Sequence, residues 1–176
     1  MEEPMKGLLR CAAAILLLFV GGCGASTGME KASQSAEPMA LGWIQRSDFM
    51  NATFPRFQEV YDSAQIEDQF IEMIRELQAG VEVVVVLGTW CSDSKTHVPR
   101  FLKIADRAGI LDDRIRFYGV DRSKKSADGV PDRYRIERVP TFLFFKDGRE
   151  VGRIVEAPRN SLEEDILVLL AEQHAQ

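Results

Sequence analysis

The sequence predicts an α/β fold with a mixed central sheet and helices on both faces of that sheet. An apolar strand, a helix and a second strand follow one another between residues 83 and 120, which is the order of a parallel βαβ unit. Two further apolar runs are joined by an Asp-Gly turn at residues 147–148, and this pattern predicts an antiparallel hairpin. A sheet that contains both units has strands of both directions.

The first predicted element is an amphipathic helix at residues 67–78. Phe70, Ile74 and Leu77 recur at helical spacing with charged residues between them, so one side of the helix is apolar and packs on the rest of the domain. Gly80 ends this helix.

The next three elements form the βαβ unit. Residues 83–87 are apolar and mostly β-branched, as expected of a strand that is buried on both faces in the middle of a sheet. Residues 92–107 form the connecting helix, and residues 115–120 form the second strand. The apolar side of the connecting helix carries Val98, Leu102 and either Ile104 or Ala105.

The carboxyl-terminal part of the chain is predicted to contain a hairpin and a final helix. The two strands are residues 139–145 and 151–155, and a Lys-Asp-Gly-Arg turn at residues 146–149 connects them. Ser161 and Glu164 have the spacing of a capping box, which marks the start of the helix. The buried side of that helix consists of Leu162, Ile166, Leu169 and Leu170.

Length, composition and charge restrict the classes of protein that this chain can be. At 176 residues it has room for one domain and an appendage, and with 45% apolar residues it can bury a core. The formal net charge of −5 argues against a general attraction to nucleic acid. The three cysteines, at positions 11, 23 and 91, are too few and too scattered for a disulfide framework or a zinc cluster. We therefore expect no metal, no other cofactor and no nucleic-acid partner.

The amino-terminal segment, residues 1–22, is predicted to be a secretory signal. Its apolar run at residues 11–20 follows Lys6 and Arg10 and is shorter than the roughly 20 residues that span a bilayer. The sequence Val-Gly-Gly-Cys that ends at Cys23 resembles the lipobox of bacterial lipoproteins. The resemblance implies that Cys23 is acylated and becomes the mature amino terminus. The alternative is an ordinary signal peptide with an incidental cysteine at that position.

The rest of the chain is predicted to consist of a tether and one domain. Residues 23–41 begin with the lipidated Cys23 and continue with small and polar residues that show no apolar period, which is typical of a flexible tether. Residues 42–176 form the domain. The location is then extracytoplasmic, and because Gly24 rather than an aspartate follows Cys23, the lipoprotein pattern favours the outer membrane or periplasm.

The residue with the clearest chemical potential is Cys91, which lies where the buried strand ends and the connecting helix begins. The unpaired N–H groups of a first helical turn stabilise a thiolate, so we expect Cys91 to be nucleophilic at neutral pH. Trp90 would shield one side of the sulfur, and the carboxylate of Asp93 would oppose part of the ionisation.

Four features lie along residues 42–174: Trp90-Cys91-x-x-Ser94, Pro99 in the connecting helix, Val139-Pro140-Thr141, and the hairpin turn at residues 144–148. At these features the chain resembles the thioredoxin family. They correspond to the family's Trp-Cys-x-x-Cys, to the proline that kinks its active-site helix, to the loop whose proline is cis, and to the hairpin turn that follows. The resemblance implies a thioredoxin-like fold and a chemistry of protein thiols and disulfides.

The resemblance also implies which residues form the site, and it separates them into two groups. The catalytic group is Cys91, Trp90, Ser94 and Pro140, and the group that holds the client, meaning the protein on which the thiol acts, is Val139, Thr141 and Glu156.

Four positions depart from the family pattern. Ser94 replaces the second cysteine, and a hydroxyl cannot release a mixed disulfide. Val85 stands where the family has a buried carboxylate, Phe117 where it has a lysine, and Glu156 where a glycine lines the client groove. The thiol, the carboxylate and the lysine all serve the release of the mixed disulfide, so their joint loss is coherent.

The sequence is compatible with functions of different classes. In the first, Cys91 acts alone in thiol–disulfide exchange with protein thiols or disulfides, and a small thiol or a partner protein resolves the adduct. In the second, the domain is a redox-inactive binding or scaffold module. A thiol peroxidase is disfavoured because Asp93 lies where a cation would be needed. His97 and His174 are expected to face solvent, and the protein is expected to be a monomer.

Overall fold

The structure is a computed structural model that describes residues 37–174. Within these residues the chain forms five strands and five α-helices. The strands are β1 (Gly42–Ile44), β2 (Val81–Leu87), β3 (Ile115–Gly119), β4 (Thr141–Lys146) and β5 (Arg149–Val155), and the helices are α1 (Pro55–Ser63), α2 (Asp68–Leu77), α3 (Ser92–Ala108), α4 (Val130–Arg133) and α5 (Leu162–His174).

The five strands form one mixed sheet in the order β1-β3-β2-β4-β5. The central strand β2 runs parallel to β3 and antiparallel to β4, while β1 and β5 pair antiparallel at the two edges. The mixed sheet predicted from the sequence is therefore confirmed. Because β2 has a neighbour on each side and is covered on both faces, its residues from Val83 to Leu87 are all buried.

The two faces of the sheet are packed against different numbers of helices. On one face Phe57 of α1, Ile74 of α2, Leu102 of α3 and Ile166 of α5 form a single apolar cluster with Val85 and its neighbours. On the other face Val130 of α4 and the segment that follows it pack on Val84, Tyr118 and Leu143. Helices on both faces are thus confirmed, with four on one side and a single turn on the other.

Most predicted elements lie within a few residues of the observed ones, but three observed elements were not predicted. Strand β1 has only three residues, and α4 has only four, so neither shows a period in the sequence. Helix α1 has nine residues, of which only Phe57 and Val60 are buried, so its apolar pattern is too sparse to detect. In the helix predicted at residues 67–78, Ile74 is buried whereas Phe70 and Leu77 are half-buried.

The hairpin turn has the local geometry that the sequence predicts, and the final helix shows the Ser161 half of the predicted capping box. Asp147 and Gly148 adopt φ angles of 51° and 74°, and both central residues of this turn type need a positive φ to match the twist of the strands. The hydroxyl of Ser161 accepts a hydrogen bond from the Glu164 N–H at 3.1 Å, which caps the first turn of α5.

A charged network ties the start of the domain to α1 and α3. The Arg46 guanidinium donates two hydrogen bonds to the Asp106 carboxylate, at 2.8 and 2.6 Å, and the Tyr61 hydroxyl donates to the same carboxylate at 2.6 Å. Partial burial alone would raise the pKa of the Asp106 carboxyl, but the hydrogen bonds from Arg46 and Tyr61 outweigh it and hold that pKa below the usual value.

We expect Asp106→Asn to lower the free energy of unfolding by about 1 kcal/mol at pH 7, since a partly exposed charged hydrogen bond contributes about that much. A lowered folded-state pKa contributes stability above the unfolded-state value of about 3.9, and this contribution is lost as pH falls through the folded-state pKa. The difference between wild type and variant, measured by urea unfolding, should therefore shrink below about pH 4. Asp112→Asn is the matched control, because Asp112 contacts Arg46 at 3.3 Å but is 69% exposed, and an equal loss in that variant would contradict the prediction.

Candidate functional site

Cys91 is the N-cap residue of α3 and directly follows the turn that leaves β2. Its backbone N–H donates to the Gly88 carbonyl at 2.9 Å, and its own carbonyl accepts from the Lys95 N–H at 3.0 Å, so the residue is held at both ends. The side chain is half-buried and is a free thiol. The cap position puts Cys91 at the end of α3 where backbone N–H groups are unpaired, but its side chain makes no capping hydrogen bond to them.

A second loop, 48 residues further along the chain, meets the sulfur. The Val139-Pro140 peptide bond is cis, as the resemblance implies, and the Cys91 thiol donates a hydrogen bond to the Val139 carbonyl oxygen at 3.3 Å. Pro140 is buried and leads directly into β4. The protein therefore brings the predicted nucleophile and the predicted client-binding loop into contact.

Trp90 contacts the chain just after β3. Its indole N–H donates to the Val120 carbonyl at 2.9 Å, and the Arg122 guanidinium lies 4.9 Å from the ring centroid, within the range of a cation–π contact. The ring also packs on Gly88, where a Cβ atom would lie 2.7 Å from the indole. Only a glycine at position 88 leaves room for Trp90 in this orientation.

Ser94 has a structural role in the turn. Its side chain is completely buried, and its hydroxyl accepts a hydrogen bond from the Gly88 N–H at 3.2 Å. This bond connects the first turn of α3 to the end of β2. Among residues 37–174, Cys91 is the sole cysteine, so no second thiol of this part of the chain can reach it.

The layer beneath the motif is apolar. Val85 pairs with Phe117 on β3 and with Phe142 on β4, and all three side chains are at most 3% exposed. Val85 and Phe117, the two positions at which the family has a carboxylate and a lysine, are thus direct neighbours in one hydrophobic cluster. The buried layer offers neither of these two groups to accept or supply a proton next to Ser94.

Glu156 and Thr141 contact the cis-proline loop from the far side. The Glu156 N–H donates to the Pro140 carbonyl at 2.7 Å, and its carboxylate accepts from Arg138 at 2.6 Å. Its φ of 62° is left-handed, which fits a position where the family has glycine. Thr141 is 2% exposed and its hydroxyl donates to the Arg138 carbonyl at 2.7 Å, so this hydroxyl is already engaged.

An open cavity of about 510 Å³ adjoins this loop. Its lining includes Thr141 and Glu156 together with Arg135, Arg138 and Arg153. Two of the residues predicted to hold the client, Thr141 and Glu156, therefore share one cavity wall that is rich in arginine.

The expectation that His97 faces solvent is wrong. The ring is half-buried on α3, and its Nδ1 atom is buried without a hydrogen-bond partner. Burial lowers the pKa of His97, Arg100 lowers it further and Asp93 opposes the shift, so the ring is neutral at pH 7. The side chain of His174 lies outside what the structure describes.

The sequence did not indicate that residues 37–41, the end of the predicted tether, belong to the site. Glu37 accepts a hydrogen bond from Lys95 in the first turns of α3 at 2.9 Å, and its second carboxylate oxygen lies 3.6 Å from Arg122. The Ala40 N–H donates to the Thr89 hydroxyl at 3.3 Å. These residues lie in a small, polar stretch without period, so no local signal could have identified them.

A metal-binding cluster and a membrane-spanning helix are both absent from residues 37–174. Across residues 37–174, no three side chains of His, Cys, Asp or Glu converge in a way that could bind a metal ion. No helix in the described part of the chain combines the length and apolar character needed to cross a bilayer. Cys23 and the predicted signal, residues 1–22, lie outside the described residues.

Comparisons with known proteins place this site in context. The family model described as thioredoxin matches residues 43–167. A thioredoxin of Malassezia sympodialis is 35% identical over 99 residues, which cover 54% of this chain and 86% of the relative. A thioredoxin-like protein of Acanthamoeba polyphaga mimivirus is 25% identical over 100 residues, which cover 57% of this chain and 70% of the relative.

One solved structure supports the fold over most of the described residues. The crystal structure of a protein of unknown function from Pseudomonas aeruginosa matches with a TM-score of 0.54 at 17% identity, over 76% of this chain and 94% of that protein. At this level of identity the match concerns the fold alone.

Proposed function

Since this chain belongs to the thioredoxin family, we propose that it performs thiol–disulfide exchange through one nucleophilic cysteine, Cys91. The observation that carries the proposal is the contact between the Cys91 sulfur and the Val139 carbonyl, because it joins a half-exposed thiol at a helix start to the cis-proline loop. The backbone beside that loop is the surface on which an extended client segment would lie.

The proposed reaction begins with the loss of the Cys91 proton to solvent. The thiolate attacks one sulfur of a client disulfide, a new sulfur–sulfur bond forms, and the other client sulfur leaves with the bonding electrons and takes up a proton. An external thiol then attacks the Cys91 sulfur and releases the reduced client. A second molecule of that thiol frees Cys91, so two external thiols are oxidised to one disulfide while one client disulfide is reduced.

The residues around Ser94 are the reason why an external thiol is needed to release the client from Cys91. A serine hydroxyl is not a nucleophile toward disulfides, and this hydroxyl is buried and bonded to Gly88. The apolar pair Val85 and Phe117 supplies no base beside it. The mixed disulfide on Cys91 therefore persists until a thiol from outside residues 37–174 attacks it.

We also propose that the protein is extracytoplasmic and anchored to a bacterial membrane through acylated Cys23. The support is the layout of residues 1–23, with a basic start, a short apolar run and the lipobox-like sequence before the cysteine. Several acyl chains at about 0.8 kcal/mol per buried methylene would hold the protein on its membrane.

The proposal predicts that natural mixed disulfides accumulate. When the membrane and soluble fractions of its own cells are prepared without reductant, non-reducing gels should show disulfide-linked adducts of the protein that disappear with dithiothreitol. Cys91→Ala should remove these adducts completely, whereas Cys23→Ser should leave their formation intact but move the protein to the soluble fraction.

The outcomes separate the parts of the proposal. A protein that is free of adducts in wild type as well as in Cys91→Ala would contradict thiol exchange and favour the alternative, a redox-inactive module that binds partners. Adducts on a protein found only in the soluble fraction would support the exchange and contradict the anchor.

A further inference from the structure

The segment that enters the domain, residues 37–41, lies across the active-site loop. Glu37 bonds to Lys95, whose backbone N–H is in turn bonded to the Cys91 carbonyl. Ala40 bonds to Thr89, two residues before Cys91. On its other side the Ala40 carbonyl approaches Gly119 so closely that a Cβ there would lie 2.1 Å from the oxygen. The close approach shows that this segment is seated on the ends of β2 and β3.

Glu37 connects two cations that lie next to residues of the Cys91 loop. Lys95 is one helical turn from Cys91, and Arg122 covers the face of Trp90, the residue before it. The hydrogen bond and the positive charge of Lys95 lower the pKa of Glu37, so its carboxylate is ionised at neutral pH. Asp93 is the other charged side chain of the first turn of α3, and Lys95 bonds to Glu37 rather than to it.

We infer that Glu37 is a positioning residue of the site: it holds Lys95 and Arg122 in place and neutralises part of their charge beside Cys91. This inference rests on the proposed function, since it concerns the same thiol. It assigns a role in the chemistry to the end of a segment whose sequence is typical of a tether. It also means that the rate at which Cys91 reacts with charged molecules depends on a residue that lies 54 positions earlier in the chain.

The test compares two alkylating reagents that differ in charge. Iodoacetate is an anion and iodoacetamide is neutral, and both react with the same thiolate, so the ratio of their rates reports the local potential and not the ionisation of the thiol. A unit charge that acts over about 10 Å in water changes such a ratio about twofold, so Glu37→Gln should raise the ratio by roughly that factor at low salt. In about 1 M salt the rise should disappear, because the Debye length falls to about 3 Å.

Two further variants serve as controls for the effect of charge at position 37. Glu82→Gln removes the same charge from an exposed residue at the opposite end of β2, and it should leave the ratio unchanged. Glu37→Asp keeps the charge and should restore the ratio of the wild type. The full chain is used throughout, and the modified Cys91 peptide is identified by mass spectrometry so that Cys11 and Cys23 do not contribute.

Each outcome decides for or against this inference. An unchanged ratio in Glu37→Gln, an equal rise in Glu82→Gln, a rise that survives high salt, or a failure of Glu37→Asp to restore the ratio would overturn it. A wild-type Cys91 that reacts with neither reagent would overturn the proposed function itself, whereas a reactive Cys91 with an unchanged ratio would overturn only the role of Glu37.

Discussion

Replacing Phe142 by alanine is expected to lower the free energy of unfolding by about 3–5 kcal/mol, a large part of the roughly 5–15 kcal/mol that a domain possesses. Phe142 is completely buried near the start of β4, where it pairs with Val85 and Ile154, and its ring lies 5.1 Å from that of Phe101 on α3. Its removal would leave a cavity where the sheet meets the active-site helix. Urea unfolding followed by circular dichroism measures the loss.

The control for this prediction is a large apolar side chain on the surface. Leu111 is 59% exposed, and Leu111→Ala should change the free energy of unfolding by less than about 0.5 kcal/mol. A Phe142→Ala protein that loses less than about 1 kcal/mol would show that the packing between β4 and α3 is not the centre of the core.

Replacing Ser94 by cysteine is expected to remove the mixed disulfides that the proposed mechanism leaves on the wild-type protein. The new thiol would lie within one helical turn of Cys91 and would attack the adduct intramolecularly, which is far more effective than attack by a dilute external thiol. We expect the yield of adducts to fall at least about tenfold, with an oxidised form of the protein in their place. Non-reducing gels and the mass of the intact protein measure both changes.

Ser94→Ala is the matched control for Ser94→Cys. Both variants lose the hydroxyl that accepts the Gly88 N–H, and leaving that buried donor unpaired costs about 1–3 kcal/mol, but only the cysteine can attack a disulfide. Adducts should therefore persist in Ser94→Ala. Their loss in that variant would show that the site had changed shape, and their persistence in Ser94→Cys would contradict the view that a missing thiol is what traps the client.

Elements with a strong local pattern were predictable from the sequence. The five apolar residues from Val83 to Leu87 indicated a strand buried on both faces, and the Asp147-Gly148 pair indicated a hairpin turn, because each pattern reflects a requirement of its own few residues. Helix α1 was missed because most of its residues face solvent. The burial of His97 was missed because it depends on what packs against α3, and the spacing along α3 does not show that.

The sequence by itself determined which reactive group the described domain carries, namely one cysteine at a strand-to-helix junction. It also determined which partners that cysteine lacks, because a serine replaces the family's second thiol, a valine its carboxylate and a phenylalanine its lysine. Only the tertiary structure decided which atoms contact Cys91 and its neighbours. The sulfur bonds to the Val139 carbonyl, the Arg122 cation lies over Trp90, and the Glu37 carboxylate bonds to Lys95. The physical reason is that residue types and their local spacing specify intrinsic reactivity and local backbone geometry. The electrostatic field and the contacts at one atom depend instead on which remote segments the packed sheet brings to the same edge.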